Sequence, residues 1–140
     1  MSPRFLRTDG PDDGPIRVLL CDDVPAFRAL VRYSLEDQPD IEVVGEAGDG
    51  LEGVRLAAEL QPDVVLLDLS MPDCDGLEAI PALRRRVPHA AVVALSGFTA
   101  DRMAQPVIAS GAIAYLEKGV ALGEIVNAIR VAATGTAEAA

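Results

Sequence analysis

Positive charge is scarce in this chain. Lys and Arg number 12 against 22 Asp and Glu, a formal net charge of −10 over 140 residues. That balance argues against direct nucleic-acid binding, which needs a basic surface to meet the phosphates. The one basic run, Arg84-Arg85-Arg86, falls where a helix should end, and cations there favour the helix dipole, so a solvated last turn explains it. Cysteine is equally sparse. Cys21 and Cys74 are the only two and lack CxxC spacing, matching neither a zinc site nor a disulfide framework; they read as free thiols of a reducing cytosol. Long apolar runs are missing too. No stretch approaches the roughly 20 residues needed to span a bilayer. Met1-Ser2-Pro3-Arg4 leads into polar Thr8-Asp9-Gly10-Pro11-Asp12-Asp13-Gly14-Pro15, not into a signal-peptide core. A cytoplasmic protein without membrane contact is expected.

What the chain does have is apolar content, 50% of its residues, enough for one domain to bury a core without disulfides or structural metal. Residues 1–15 and 134–140 are expected to be a flexible leader and tail around a domain over 16–133. Within it β and α signals alternate. Strands are predicted at 16–21, 41–47, 63–67, 91–95 and 113–116, with helical spacing in Phe27, Leu30, Val31, Ser34 and Leu35 after Pro25, and in Leu122, Ile125, Val126 and Ile129. Asp49-Gly50-Leu51-Glu52 and Asp75-Gly76-Leu77-Glu78 each carry a capping-box start. Strands one, three and four are apolar throughout. The second, Ile41-Glu42-Val43-Val44-Gly45-Glu46, is charged like an edge strand, and the short fifth suits the other edge. The fold class is therefore α/β, five βα units with a parallel sheet in the order 2-1-3-4-5 and helices on both faces.

Three carboxylates stand at the ends of two of these strands: Asp22 and Asp23 close Ile16 to Cys21, and Asp68 follows Val64-Val65-Leu66-Leu67. The switch point of that strand order lies between the same two strands, and open α/β sheets bind ligands there, outside the carboxyl ends. Crowded carboxylates raise each other's pKa unless a cation is present, most simply Mg²⁺. Ser96 and Lys118 end the fourth and fifth strands on the same rim. A metal and an ammonium to neutralise phosphate oxygens, a hydroxyl to donate to one more, and an aspartate to attack together describe phosphoryl transfer to Asp68. A lone Asp after a strand is more often an N-cap, but coincidence at four strand ends reverses that reading. Asp73-Cys74-Asp75-Gly76 lacks the later ligands of a calcium loop and is better explained by capping.

On these residues the chain resembles the receiver domain of two-component response regulators. The matching elements are Cys21-Asp22-Asp23, the stretch Leu67-Asp68-Leu69-Ser70-Met71-Pro72-Asp73-Cys74-Asp75-Gly76, Ser96 and Lys118. The resemblance implies a flavodoxin-like (βα)5 three-layer sandwich with Asp68 as phosphoacceptor. It also implies Mg²⁺ held by Asp23, Asp68 and the backbone carbonyl of Ser70, with Asp22 assisting directly or through water. A histidine kinase or phosphotransfer protein would donate the phosphoryl group; Ser96 would move toward it, and Tyr115, the aromatic switch residue, would turn inward. The face of the fourth helix, fifth strand and fifth helix would change in response. Apart from self-phosphorylation and slow self-dephosphorylation, no enzyme activity is implied, and a phosphorylation-dependent homodimer is left open.

Gly119 stands where many receivers have proline, leaving open the peptide geometry at Lys118. Pro106 should shorten, kink or displace the expected fourth helix, Asp101 to Ser110, and Pro81 raises the same issue in the third. Phe98 is placed to hinder water and slow loss of the phosphoryl group. Ala114-Tyr115-Leu116-Glu117-Lys118-Gly119 resembles receivers joined to a C-terminal helix-turn-helix domain. No such domain fits after the expected fifth helix, so the output is either an unknown protein partner or a DNA-binding domain missing from this chain. Two alternatives fit the sequence less well. An aspartate-nucleophile Mg²⁺ phosphatase generally needs a second carboxylate where Ser70 stands; a binding module without phosphotransfer sits poorly with the complete acidic, hydroxyl and lysine set.

Overall fold

Alternation along each apolar run decides the layering. In the computed structural model, which describes residues 14–70, 76–97 and 100–135, the chain runs β1 (Ile16–Cys21), α1 (Pro25–Glu36), β2 (Ile41–Ala47), α2 (Gly50–Leu60), β3 (Val64–Asp68), α3 (Gly76–Arg86), β4 (Ala91–Ser96), α4 (Ala100–Ala109), β5 (Ala114–Glu117), α5 (Leu122–Gly135). The five strands form one parallel sheet in the order β2-β1-β3-β4-β5, as predicted. Because successive side chains leave a strand on opposite faces, Leu19, Cys21, Val65 and Leu67 join one core with Ala57 of α2, Ile80 and Leu83 of α3 and Val107 of α4. Val18, Leu20, Val64 and Leu66 join a second with Val31 and Leu35 of α1 and Ile125 and Ile129 of α5. These are the two outer layers of the three-layer sandwich. The central strands β1, β3 and β4 are buried almost end to end, while β2 and β5 are half-buried edges.

Local chemistry fixes the element ends. Asp49 Oδ1 accepts from Glu52 N–H at 2.8 Å while Glu52 Oε1 accepts from Gly48 N–H at 3.0 Å, a capping box whose return bond lands one residue ahead of the cap. Its counterpart at Asp75 lies outside the described residues, as do residues 1–13 of the expected leader, 136–140 of the tail, Cys74 and Phe98. At the amino edge of the sheet, buried Asp63 accepts from Arg17 N–H at 2.9 Å and the Arg17 guanidinium donates to the carbonyls of Leu60 and Gln61 at 2.9 Å each. That acid is spent on main-chain structure. Arg84 to Arg86 form the last turn of α3, as expected, with Arg84 donating to the Ala90 carbonyl at 2.7 Å.

Several expectations are corrected. Asp68 and Ser96 are the last residues of β3 and β4, not the residues after them, because the ladder continues to the pairs Asp68 with Leu95 and Ser96 with Glu117. Helix α4 keeps ten residues around Pro106 but lies one residue earlier than expected, over Ala100–Ala109, and α3 runs through Pro81; a proline removes one helical bond without ending the helix here. All peptide bonds among the described residues are trans, including Lys118-Gly119. Helix α5 continues two residues into the stretch expected as tail, with the Thr134 hydroxyl donating to the Arg130 carbonyl at 3.0 Å. Leu30, at helical spacing with Val31, is 51% exposed, because the buried stripe of α1 passes through Val31 and Leu35. Among the described residues no helix is long and apolar enough to cross a membrane.

Helix α2 packs closely against β1. A Cβ at Gly53 would lie 2.7 Å from Cys21 Sγ, a separation that only a shift of backbone or thiol could relieve, and overpacking of this kind costs about 1–3 kcal/mol. Gly53→Ala is therefore expected to lower the urea-unfolding free energy by that amount. The double variant Cys21→Ala, Gly53→Ala should lose less than the two single variants added together.

Candidate functional site

Parallel strands β1 and β3 end side by side, with Cys21 opposite Leu67, so the residues that follow meet at one edge. There, carboxylate oxygens of Asp22, Asp23 and Asp68 lie within 4.8 Å of one another. Asp22 and Asp68 are buried, at 5% and 1% exposure, and Asp23 is half-buried. Lys118, just past β5, reaches back across β4 to place its ammonium 3.0 Å from Asp68 Oδ2 and 3.3 Å from Asp22 Oδ2. Its main-chain N–H donates to the Ser96 carbonyl at 2.7 Å, tying the ends of β4 and β5 together.

The second carboxylate oxygens of Asp22 and Asp68 are held by the main chain. Asp68 Oδ1 accepts from Ser70 N–H and Asp22 Oδ1 from Val24 N–H, both at 2.8 Å. Asp22 Oδ2 is buried without a hydrogen-bond partner and, among the described residues, meets only the Lys118 ammonium. Burial, with the negative charge of Asp68, raises the Asp22 pKa above its ordinary value despite the bond from Val24 and the charge of Lys118. For Lys118, burial pulls down and the two aspartates, Asp68 first, pull up more strongly, so its ammonium is held charged. Three carboxylates against one ammonium leave two negative charges over, the deficit that a divalent cation fills. The donor set fits Mg²⁺: hard oxygens only, with a buried carboxylate oxygen short of a hydrogen-bond partner.

The structure thus brings together Asp22, Asp23, Asp68 and Lys118, and brings Ser70 to Asp68 through its N–H. Ser96 is fully buried and joins them through the main chain of Lys118. Tyr115 is half-buried and packs on the core shared with α2, α3 and α4. Two contributors escaped sequence reasoning. The Phe27 ring lies 4.8 Å from the Lys118 ammonium, in cation–π range, and Arg28 donates to the main-chain carbonyl of Asp22 and, at 2.8 Å, to Glu46 Oε1 on β2. Helical spacing marked Phe27 for the core, and nothing in the spacing of Arg28 separates it from a solvated helix charge.

Residues 18–130 match the response regulator receiver domain family. The chain belongs to that family. Among curated relatives of the receiver, the transcriptional regulatory protein LiaR of Bacillus subtilis is 49% identical over 120 residues, 86% of this chain and 57% of LiaR. The response regulator GacA of Pseudomonas viridiflava is 41% identical over 86% of this chain and 56% of its own. The receiver thus spans little more than half the length of these relatives. Among solved structures, the signal receiver domain of a NarL response regulator from Mycobacterium tuberculosis superposes with a TM-score of 0.81 at 33% identity, covering 86% of this chain and 97% of that one. A Burkholderia pseudomallei response regulator with a phosphorylated aspartic acid, calcium ion and citrate gives a TM-score of 0.74 at 26% identity, covering 89% of this chain and 72% of that one.

In this receiver the link from Arg28 to Glu46 carries a pH signature. Burial alone would raise the Glu46 pKa, but hydrogen bonds from Arg32 and Arg28 and their charges hold it below the ordinary 4.5. A depressed carboxylate contributes stability that is full above its unfolded value and fades as pH falls through the folded one. Glu46→Gln is expected to cost about 1 kcal/mol at neutral pH. In urea unfolding across a pH series, the gap to wild type should close below pH 4.5.

Proposed function

We propose that Asp68 accepts a phosphoryl group from the phosphohistidine of a histidine kinase or phosphotransfer protein, and that this receiver passes the signal on through the face built by α4, β5 and α5. The single observation that carries the reading is the position of Asp68: buried at the tip of the middle strand, 3.0 Å from the Lys118 ammonium, in one cluster with Asp22 and Asp23. In the transfer a carboxylate oxygen of Asp68 forms the O–P bond as the N–P bond of the donor breaks, and the imidazole nitrogen leaves with the electron pair. Asp23 and Asp68, with the Ser70 carbonyl and Asp22 directly or through water, would hold Mg²⁺. That ion would neutralise phosphoryl oxygens and so lower the electrostatic barrier to attack by a carboxylate. Lys118 supplies the matching charge from the protein side, and Ser96 a hydroxyl to a further oxygen.

The same elements support a route outward. Ser96 falls on the alternation of β4 that includes Val92 and Ala94, the side on which Tyr115 packs, and Ala94 pairs with Tyr115 in the ladder. A shift of Ser96 toward a phosphoryl group would vacate space on the face that Tyr115 and α4 share, biasing two packings of that face. Full-length relatives such as LiaR are named as transcriptional regulators, which supports a DNA-binding output domain in the whole protein; the acidic receiver itself would act through protein contacts, and a phosphorylation-dependent homodimer is one such contact. The phosphorylated aspartic acid and calcium ion of the Burkholderia pseudomallei regulator support both the covalent step and the cation.

With acetyl phosphate and Mg²⁺, intact-mass measurement should show wild type gaining one phosphoryl group and Asp68→Asn gaining none. Lys118→Ala should slow the gain by tenfold or more, the scale of losing one preorganised charge at a transferring phosphoryl group. A phosphoryl group retained by Asp68→Asn would refute the assignment.

A further inference from the structure

Every polar handle of Asp22 except Oδ2 is spoken for, and one of the partners comes from outside the acidic cluster. The Asp22 N–H donates to the Ala47 carbonyl at 3.0 Å and its Oδ1 accepts from Val24. The main-chain carbonyl accepts from Arg28 Nη1. That carbonyl belongs to the peptide plane joining Asp22 to Asp23, so whatever holds it also orients Asp23. Arg28 sits in the first turn of α1, its own N–H on the Val24 carbonyl at 2.9 Å, and its Nε is anchored to Glu46 Oε1 at 2.8 Å. The two side chains are only 22% and 25% exposed, so water competes weakly for them.

We propose that Arg28 and Glu46 are a positioning pair for the cation site, fixing the Asp22-Asp23 peptide plane from α1 and β2. This rests on the reading of Asp22, Asp23 and Asp68 as a divalent-cation site. A bare guanidinium here would oppose the cation by charge repulsion. Glu46 removes that conflict. It also pairs with Arg32, which in turn meets Glu36 at 3.4 Å, so two cations and two anions balance beside the pocket. The fork of arginine suits this place because it reaches a carbonyl and a carboxylate at once, which a lysine ammonium does with less geometric control. Partners that orient a metal ligand without touching the metal typically carry a tenfold to hundredfold share of metal affinity.

The test is Mg²⁺ titration by calorimetry of the full chain in its wild-type, Arg28→Gln, Arg28→Lys and Glu46→Gln forms, with thermal unfolding in EDTA alongside. Positioning predicts that Arg28→Gln weakens Mg²⁺ binding about tenfold although it removes a positive charge, and that Arg28→Lys, which keeps the charge, weakens it similarly. A purely electrostatic role predicts tighter binding by Arg28→Gln. A purely structural role predicts a lower unfolding temperature in EDTA with Mg²⁺ affinity unchanged. Either outcome overturns the proposal. If Arg28→Gln does not fold, Arg28→Lys decides in the same titration, and Glu46→Gln should also bind more weakly because Arg28 loses its anchor. A wild-type chain that fails to bind Mg²⁺ sinks the cation site itself and the positioning pair with it. Normal wild-type binding with unaltered Arg28 variants sinks the pair alone.

Discussion

The constraint on which the rest of the structure depends is the gathering of three carboxylates around one ammonium at the carboxyl edge of the sheet. A folded chain tolerates like charges at this spacing only if something outside the cluster compels it. Here the compulsion is the sheet. The side-by-side register of β1 and β3 drives Asp22 and Asp68 together as a by-product of burying Val18 to Cys21 and Val64 to Leu67, and burial of apolar surface is the dominant favourable term in folding. Burial first, and then the charge of Asp68, raise the pKa of Asp22. Lys118 offsets part of that rise, and a divalent cation would offset the remainder.

Such an arrangement trades stability for readiness. A fully neutralised cluster would have no use for a cation or for the charge that a phosphoryl group brings. An acid engaged by a main-chain donor away from other carboxylates, as Asp63 is at the opposite edge by the Arg17 N–H, braces the main chain. Of the buried aspartates, Asp22 and Asp63 differ little in sequence context, each lying at one end of a strand. Their surroundings separate them: Asp63 accepts from one main-chain N–H of β1, that of Arg17, whereas Asp22 faces another carboxylate. Perturbed, mutually opposed ionisable groups mark functional positions for this reason.

Much of this was legible in the chain itself. Hydrophobic periodicity and the charged second strand gave the sheet order, because a parallel strand buried on both faces leaves a run of apolar residues that few other structures produce. The sequence places the ends of β3 and β4 one residue short of Asp68 and Ser96, since a polar residue closing an apolar run looks like the first loop residue until the neighbouring strand is present to pair with it. Pro106 and Pro81 do not shorten their helices, because the cost of a proline is local. Least legible were Phe27 and Arg28. Their partners, Lys118, Asp22 and Glu46, are remote in sequence or hidden in main-chain carbonyls, and no spacing rule records a contact between a guanidinium and a backbone oxygen.

That last point bears on how the site is built. The acidic and basic groups that chemistry demands come from strand ends, where the fold supplies position without further help. The β1 to α1 connection has no such support; it is short, and its Val24 N-cap makes no side-chain capping bond. Its order comes from tertiary contacts, the Asp22 carboxylate on Val24 N–H from within and Arg28 on the Asp22 carbonyl from the helix. A loop held by side chains rather than by secondary structure can be tuned by single substitutions without disturbing the core. If the acidic cluster holds a cation as proposed, helix α1 and the end of β2 are therefore where single substitutions would tune its affinity without disturbing the sheet.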